Sequence, residues 1–244
     1  MKRVLLQPAY VLHRRLYRES SFLVELFTSE HGRLTVVARG VRKARSPTQG
    51  LLQPFIPLLV SWSGNGELMT LSQVEPNGAA VSLRGECLFA GFYLNELLMC
   101  LLQKWDAHPV LYTAYEKAVA MLQASVLEQG VLRSFEKALL EELGYGLFPK
   151  SDTELQHALQ PDHYYRFVPE QGFVISTLGN PSQAKTHIFS GKNLLAIARE
   201  DWRDESCLQD AKRLTRFILA PLLGARPIHS RKLFLQLNGE ESDK

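Results

Sequence analysis

Between Arg39 and Arg45 the chain sets four cationic side chains, Arg39, Arg42, Lys43 and Arg45, into seven residues with no acid among them. Cations crowded this closely repel one another unless something negative lies against them, so their natural counterpart is a polyanion such as a sugar–phosphate chain. Arg14, Arg15, Arg18 and Arg33 add to the same end of the sequence, and Lys212, Arg213 and Arg216 form a second basic group near the other end. The formal net charge of +3 conceals this segregation. Residues 1–45 carry ten basic against three acidic side chains, a net of +7; residues 46–204 carry eleven against seventeen, a net of −6; residues 205–235 return to +4. Two phosphate-facing surfaces are the sharper reading, and solvated surface without a partner is the plainer one.

Catalytic chemistry finds less support. Ser190-Gly191-Lys192-Asn193 has the look of the end of a phosphate loop, but Thr186 stands where the earlier glycine is needed, and Asn193 replaces the hydroxyl that would hold magnesium. His157 and His163 lie near Asp152, Glu154 and Asp162, a spacing too loose for a defined metal site and more typical of a solvated loop. Cys87, Cys100 and Cys207 share no C-x-x-C spacing, so neither a disulfide framework nor a four-cysteine zinc site is expected. No clustered carboxylates suggest a two-metal nuclease. Single-strand binding needs rings as well as cations. The first 76 residues supply six, Tyr10, Tyr17, Phe22, Phe27, Phe55 and Trp62. A small barrel must fill its interior with several of these, and the alternation assigns Phe22 there.

The elements that must position these side chains read as strands first and helices later. Apolar alternation with regular turn residues predicts strands over 9–17, 21–28, 33–39, 55–62 and 67–74. In the second of them Phe22, Val24 and Leu26 share a face, with Ser21 and Glu25 on the other. Five short strands without an intervening long helix suggest a closed or partly closed barrel, and the stretch around Arg42, Lys43 and Arg45 reads as a long basic loop. After Pro76-Asn77-Gly78 the period changes to that of a helix, which places a boundary near residue 80. Helices are predicted over 83–105, 110–127, 131–143 (ending at Gly144) and 206–220. Pro221 predicts a kink, and Ser230 should cap a last short helix. Residues 149–190 lose helical periodicity but fit a hairpin across Pro169-Glu170-Gln171-Gly172. With 45% hydrophobic residues the chain can bury a sizeable core. No apolar run is long enough to span a membrane and no signal-peptide core is visible, so a soluble, cytoplasmic protein is expected.

Several stretches, collinear over nearly the whole chain, carry a resemblance. They are VLHRR followed by ES within 11–20, LFTSEHGRLTVVARGVRKARS at 26–46, LLQPFIPLL at 51–59, YLNELL at 93–98, RSFEKALLEELGYG at 133–146, and AKRLTRFILAPLLGARPIHSRKLF at 211–234. The chain resembles the RecO family of bacterial recombination mediators. The resemblance implies an α+β chain of two domains. An N-terminal five-stranded OB-fold barrel would cover 1–80 and a mostly helical domain 81–148 and 191–237, with a small inserted hairpin region at 149–190 and a frayed tail at 238–244.

It further implies binding rather than catalysis. Members bind single- and double-stranded DNA, anneal complementary strands, including strands covered by single-stranded DNA-binding protein (SSB), and help load RecA together with RecR and, in some systems, RecF. Several members carry a four-cysteine zinc module after LGYG. Here 147–190 contains no cysteine, so neither zinc nor another cofactor is expected, and the hairpin must hold itself by packing. The helical domain of the family also docks the acidic, apolar C-terminal tail of SSB, and by position Arg133 matches a basic residue implicated there. An arginine fork suits the carboxylates of such a tail. The resemblance leaves a second reading open, an adaptor recruited by that tail with only incidental DNA contact. If about five cations of the first domain meet phosphates, the log–log salt slope of single-strand binding is roughly −3.5.

Overall fold

The computed structural model describes residues 2–42, 46–66, 68–79, 81–177 and 187–237. The tail expected to fray, 238–244, lies outside them, as do Lys43 and Arg45. The chain divides into two compact units, one spanning Met1–Leu127 and taking in the C-terminal segment from Arg226, the other Glu128–Ala225.

The first unit begins with five strands, β1 (Lys2–Tyr17), β2 (Ser21–Thr28), β3 (Gly32–Ala38), β4 (Leu58–Gly64) and β5 (Leu68–Pro76). They close into a barrel in the order β1-β2-β3-β5-β4, antiparallel except for the short β3–β5 contact from Thr35↔Leu68 to Val37↔Thr70. β1 is longer than its alternation suggests because its halves serve different partners. Ala9–Tyr17 runs along β2, while Lys2–Ala9 pairs with β4 and closes the barrel. Its register shifts between Val4 and Gln7 and between Val11 and His13, irregularities that let one strand turn a barrel corner. Within the stretch read as a basic loop, Pro47 follows Ser46 and starts α1 (Pro47–Leu51), proline's fixed φ suiting the first helical turn. This strand order, with a helix between the third and fourth strands, is OB-like.

Alternation fills the barrel. Phe22, Val24 and Leu26 of β2, Leu34, Val36 and Ala38 of β3, and Leu58, Val60 and Trp62 of β4 form one buried cluster. The outer face is not left to solvent throughout, because β2 is buried along nearly its whole length on both faces. Where Tyr10 pairs with Phe27, the rings of Tyr112 and Tyr115 from α3 (Pro109–Met121) pack over them at centroid distances of 5.1–6.0 Å. Asn95 of α2 (Gly85–Leu101) pins this layer: its amide donates to Leu12 O at 2.9 Å and its carbonyl accepts from the Tyr115 hydroxyl at 2.6 Å.

The segment following α2 then lies along the start of β3, with Trp105 N–H donating to Arg33 O at 2.9 Å. Gly32 allows this approach. Its φ is +63°, and a Cβ built on it would stand 1.7 Å from Asp106 O. Gly32→Ala should therefore cost more than the roughly 1–2 kcal/mol of a left-handed residue, lowering the melting temperature by about 5 °C or more. Unchanged thermal unfolding would contradict the close approach.

The last described helix, α8 (His229–Leu237), returns to this unit and packs on α2, Phe234 against Phe89. Its first amides are met by Glu96 of α2 rather than by Ser230. Glu96 Oε1 accepts from His229 N at 3.1 Å and Oε2 from Ser230 N at 3.0 Å, while the Ser230 hydroxyl also donates to Oε2 at 2.6 Å.

The second unit contains α4 (Gln129–Glu142), α5 (Asp152–Ala158), β6 (Tyr164–Val168), β7 (Gly172–Ile175), β8 (Ile188–Ser190), α6 (Gly191–Ala198) and α7 (Glu205–Leu223). Gly144, at φ +85°, ends α4: its N–H bonds to Glu141 O and that of Tyr145 to Leu140 O, closing the last orphan carbonyls. α5 and β8 both lie within 149–190, where the sequence predicts loss of helical periodicity and a hairpin alone. β8 adds a third strand to the hairpin, in the order β7-β6-β8. Phe148, Phe167, Phe173 and Phe217 stack around this sheet, with the Phe148 and Phe173 centroids 5.3 Å apart. Pro221 sits within the final turn of α7, which continues to Leu223, so the predicted stop after 220 comes three residues later.

Candidate nucleic-acid interface

The barrel has one covered end and one open end. At the covered end Thr28 pairs with Gly32 beneath the segment after α2, and at the open end Tyr17 pairs with Ser21 and Phe22 with Ala38. The open end carries three exposed arginines. Arg15 lies on the outer face two residues before Tyr17, Arg18 occupies the β1–β2 turn, and Arg39 follows the last residue of β3; all three are exposed. Arg18 and Arg39, but not Arg15, line a cleft of about 840 Å³, whose walls also include Tyr17, Ser21, Leu68 and Thr70, with one acid, Glu19. In OB-like barrels the strand 2–3 face and the turns beside it are where oligonucleotides bind. The cleft lies at that place, beside the β1–β2 turn.

Arg42 has a different task. Its Nη1 donates to the carbonyls of Arg18 at 3.1 Å and Glu19 at 3.0 Å, while its backbone N–H donates to Ser20 O at 3.0 Å. It thus clamps the β1–β2 turn, in which Arg18 holds a left-handed φ of +51°. Arg14 points to the other side of β1. Its guanidinium lies 4.9 Å from the Phe22 centroid and donates to Gln49 O at 3.0 Å, tying α1 to the barrel. Arg33 is drawn inward: it pairs with Glu25 at 3.3 Å, donates to Leu102 O at 3.2 Å, and its side chain is only 16% exposed. Glu25 also accepts from the Thr35 hydroxyl at 2.6 Å, with Lys104 3.9 Å away. Lys104 has no counterpart in the sequence reading, since nothing local announces that the segment after α2 reaches β3. Arg33 is therefore a neutralised cation, whereas Arg15, Arg18 and Arg39 gather at one exposed end.

In the second unit, Lys212 and Arg216 are exposed on α7. Arg213 turns back, pairing with Asp210 at 2.6 Å, donating to Ile188 O at 3.0 Å, and covering the Phe189 ring at 5.0 Å. Arg133 is not a rim residue. It is 5% exposed and pairs with Glu136, itself 1% exposed, at 2.9 Å. Arg133 Nη1 also donates to Thr215 Oγ1 at 3.3 Å, and the Thr215 hydroxyl donates to Glu136 Oε2 at 2.5 Å, so the cluster joins α4 to α7.

The other candidates for chemistry resolve into structure. Ser190 caps α6 by accepting from Asn193 N at 3.2 Å, and Lys192 pairs with Asp204 at 3.6 Å. Burial, with Asp204, Asp210 and Asp201 nearby, pushes the Cys207 thiol up to about 11, and burial raises Cys87 and Cys100 as well. Such thiols are poor nucleophiles. Among the described residues no group of three or more His, Cys, Asp or Glu is placed to hold a metal ion, and no helix is long and apolar enough to cross a membrane.

Comparison with known proteins agrees with this architecture. The family profile described as Recombination protein O N terminal matches residues 1–79, and that described as Recombination protein O C terminal matches residues 84–232. Among similar proteins, DNA repair protein RecO of Coxiella burnetii (strain RSA 331 / Henzerling II) is 44% identical over 232 residues, covering 95% of this chain and 98% of the relative. DNA repair protein RecO of Dechloromonas aromatica (strain RCB) is 43% identical over 234 residues, covering 95% of each. The corresponding protein of Glaesserella parasuis serovar 5 (strain SH0165) is 42% identical over 229 residues, covering 93% of this chain and 94% of the relative.

Proposed function

We propose, because this chain belongs to the RecO family and its role lies in DNA repair and recombination, that it is a non-enzymatic mediator that binds DNA strands and anneals them. The observation that carries this reading is the open barrel end, where Arg18 and Arg39 line a cleft of about 840 Å³ and Arg15 stands exposed two residues before Tyr17. Backbone phosphates of a single strand neutralise these cations and release their own counterions, which favours binding without reading sequence. In the second unit, Lys212 and Arg216 stand exposed on α7 and offer basic side chains to another strand or a duplex. Strands whose charge is screened in this way repel one another less, and their bases pair sooner.

On this reading the protein acts in the cytoplasm, on the nucleoid. Strands coated by SSB are among its substrates, and RecR, with RecF and RecA, are its further partners. The second unit receives the SSB tail. Arg133 contributes by organising the α4–α7 surface, since a direct contact would require it to leave Glu136. The adaptor reading gains no specific support, because the residue that prompted it is buried and paired.

A strand-annealing assay with complementary labelled oligonucleotides tests the proposal. The wild-type chain should accelerate annealing without a nucleotide cofactor, and changing Arg15, Arg18 and Arg39 together to Glu should abolish the acceleration. An unchanged rate in that variant would contradict it.

A further inference from the structure

The open barrel end holds cations for phosphates, but phosphate contacts alone cannot favour an unpaired strand over a duplex. A ring face for the bases is the missing part. Of the six aromatic residues in the first 76, five belong to the interior: Tyr10 is 3% exposed, Phe22 6%, Phe27 0%, Phe55 4% and Trp62 0%. Tyr17 remains. It is partly exposed, ends β1 opposite Ser21, and lines the cleft between Arg18 and Arg39. We propose that Tyr17 is the base-stacking residue of the cleft, taking one unpaired nucleobase on its ring while Arg18 and Arg39 hold the flanking phosphates. The inference rests on the reading of this cleft as a strand-binding site.

The arrangement around the ring supports an exchange. The Arg18 guanidinium lies 5.2 Å from the Tyr17 centroid, a cation occupying the face that a base would take. An exposed contact of this kind is worth a factor of about 2 to 5, whereas base–aromatic stacking is worth about 5 to 150. An arriving base therefore displaces the guanidinium, which turns to the phosphate of the same nucleotide. Arg18 can serve both states only if its backbone stays fixed. Its left-handed φ of +51° is held by the Arg42 guanidinium on the Arg18 and Glu19 carbonyls. Arg42 is then a positioning residue for this exchange.

The experiment compares binding of a fluorescein-labelled oligo(dT) with that of an equally long strand whose bases are replaced by abasic tetrahydrofuran units. Full-length wild type, Tyr17→Ala and Tyr17→Phe are titrated at several salt concentrations. Wild type and Tyr17→Phe should prefer oligo(dT) by about 5- to 150-fold. Tyr17→Ala should lose that preference and bind both strands at the abasic level, with its salt slope unchanged because no phosphate contact is removed. Tyr17→Ala binding oligo(dT) as wild type does, or weakening equally on both strands, would overturn the stacking role and leave the phosphate cleft standing. Wild type that binds neither strand would overturn the cleft reading itself, and the inference with it.

Discussion

Arg133→Ala is expected to destabilise the second unit by about 3–5 kcal/mol, the usual consequence of leaving one partner of a buried ion pair behind. Glu136 is 1% exposed, and its carboxylate is met by Arg133 at 2.9 Å and by the Thr215 hydroxyl at 2.5 Å. Removing the guanidinium strands that charge between α4 and α7. With a typical total stability of about 5–15 kcal/mol, such a loss is a large fraction of the whole. Arg133→Met combined with Glu136→Leu removes both charges, so it should recover most of the stability. Urea denaturation of the single and double variants checks both statements; a loss below about 1 kcal/mol for Arg133→Ala would contradict the buried pair. The same result governs how tail binding is interpreted. An Arg133→Glu variant that fails to bind an SSB tail peptide reports on contact only if its second unit is still folded.

The second large effect concerns affinity. Changing Arg18 and Arg39 together to Ala should weaken single-strand binding by about 25-fold at 0.1 M salt, since each phosphate contact contributes about 0.7 log units there, or roughly fivefold. Both side chains are exposed on the cleft wall and neither holds the barrel core, so the variant should melt with the wild type. Arg33→Ala is the contrasting control. Arg33 is already paired with Glu25 and bound to Leu102 O, so its loss should reduce stability while leaving the affinity of the folded protein nearly unchanged. Equal affinity losses for Arg33→Ala and the cleft variant would mean that the exposed and the neutralised cations are not distinguished.

Much of this fold could be read from residue order because it depends on local periodicity. Phe22, Val24 and Leu26 line the barrel as their alternation requires, and Leu132, Phe135 and Leu139 form the buried side of α4. The alternation was silent about Phe27, buried on the opposite face, because its cover comes from Tyr112 and Tyr115, far along the chain. The same limit applies to the site. A run of arginines shows that charge is present but not which members an acid neutralises. The Arg33–Glu25 pair depends on strand register, and the depth of Arg133 depends on packing against Thr215 of α7. Arg213 and Asp210 stand three apart on one helix, a spacing that allows a pair, yet the sequence places Arg213 with the phosphate-facing cations, and only the fold shows it turned back onto Asp210. Alternation sets Phe22 apart, but Tyr17 could not be separated from Tyr10, Phe27, Phe55 and Trp62 until burial excluded those four.

The central claim is that the exposed arginines at the open end of the barrel meet phosphates. The salt dependence of single-strand affinity measures this most directly, in wild type and in the Arg18→Ala, Arg39→Ala double variant. The wild type should show a log–log slope of about −2 from Arg15, Arg18 and Arg39, steepening toward roughly −3.5 if Lys43 and Arg45 also engage, and the double variant should be shallower by about 1.4. Identical slopes for the two proteins, or binding indifferent to salt, would contradict the account.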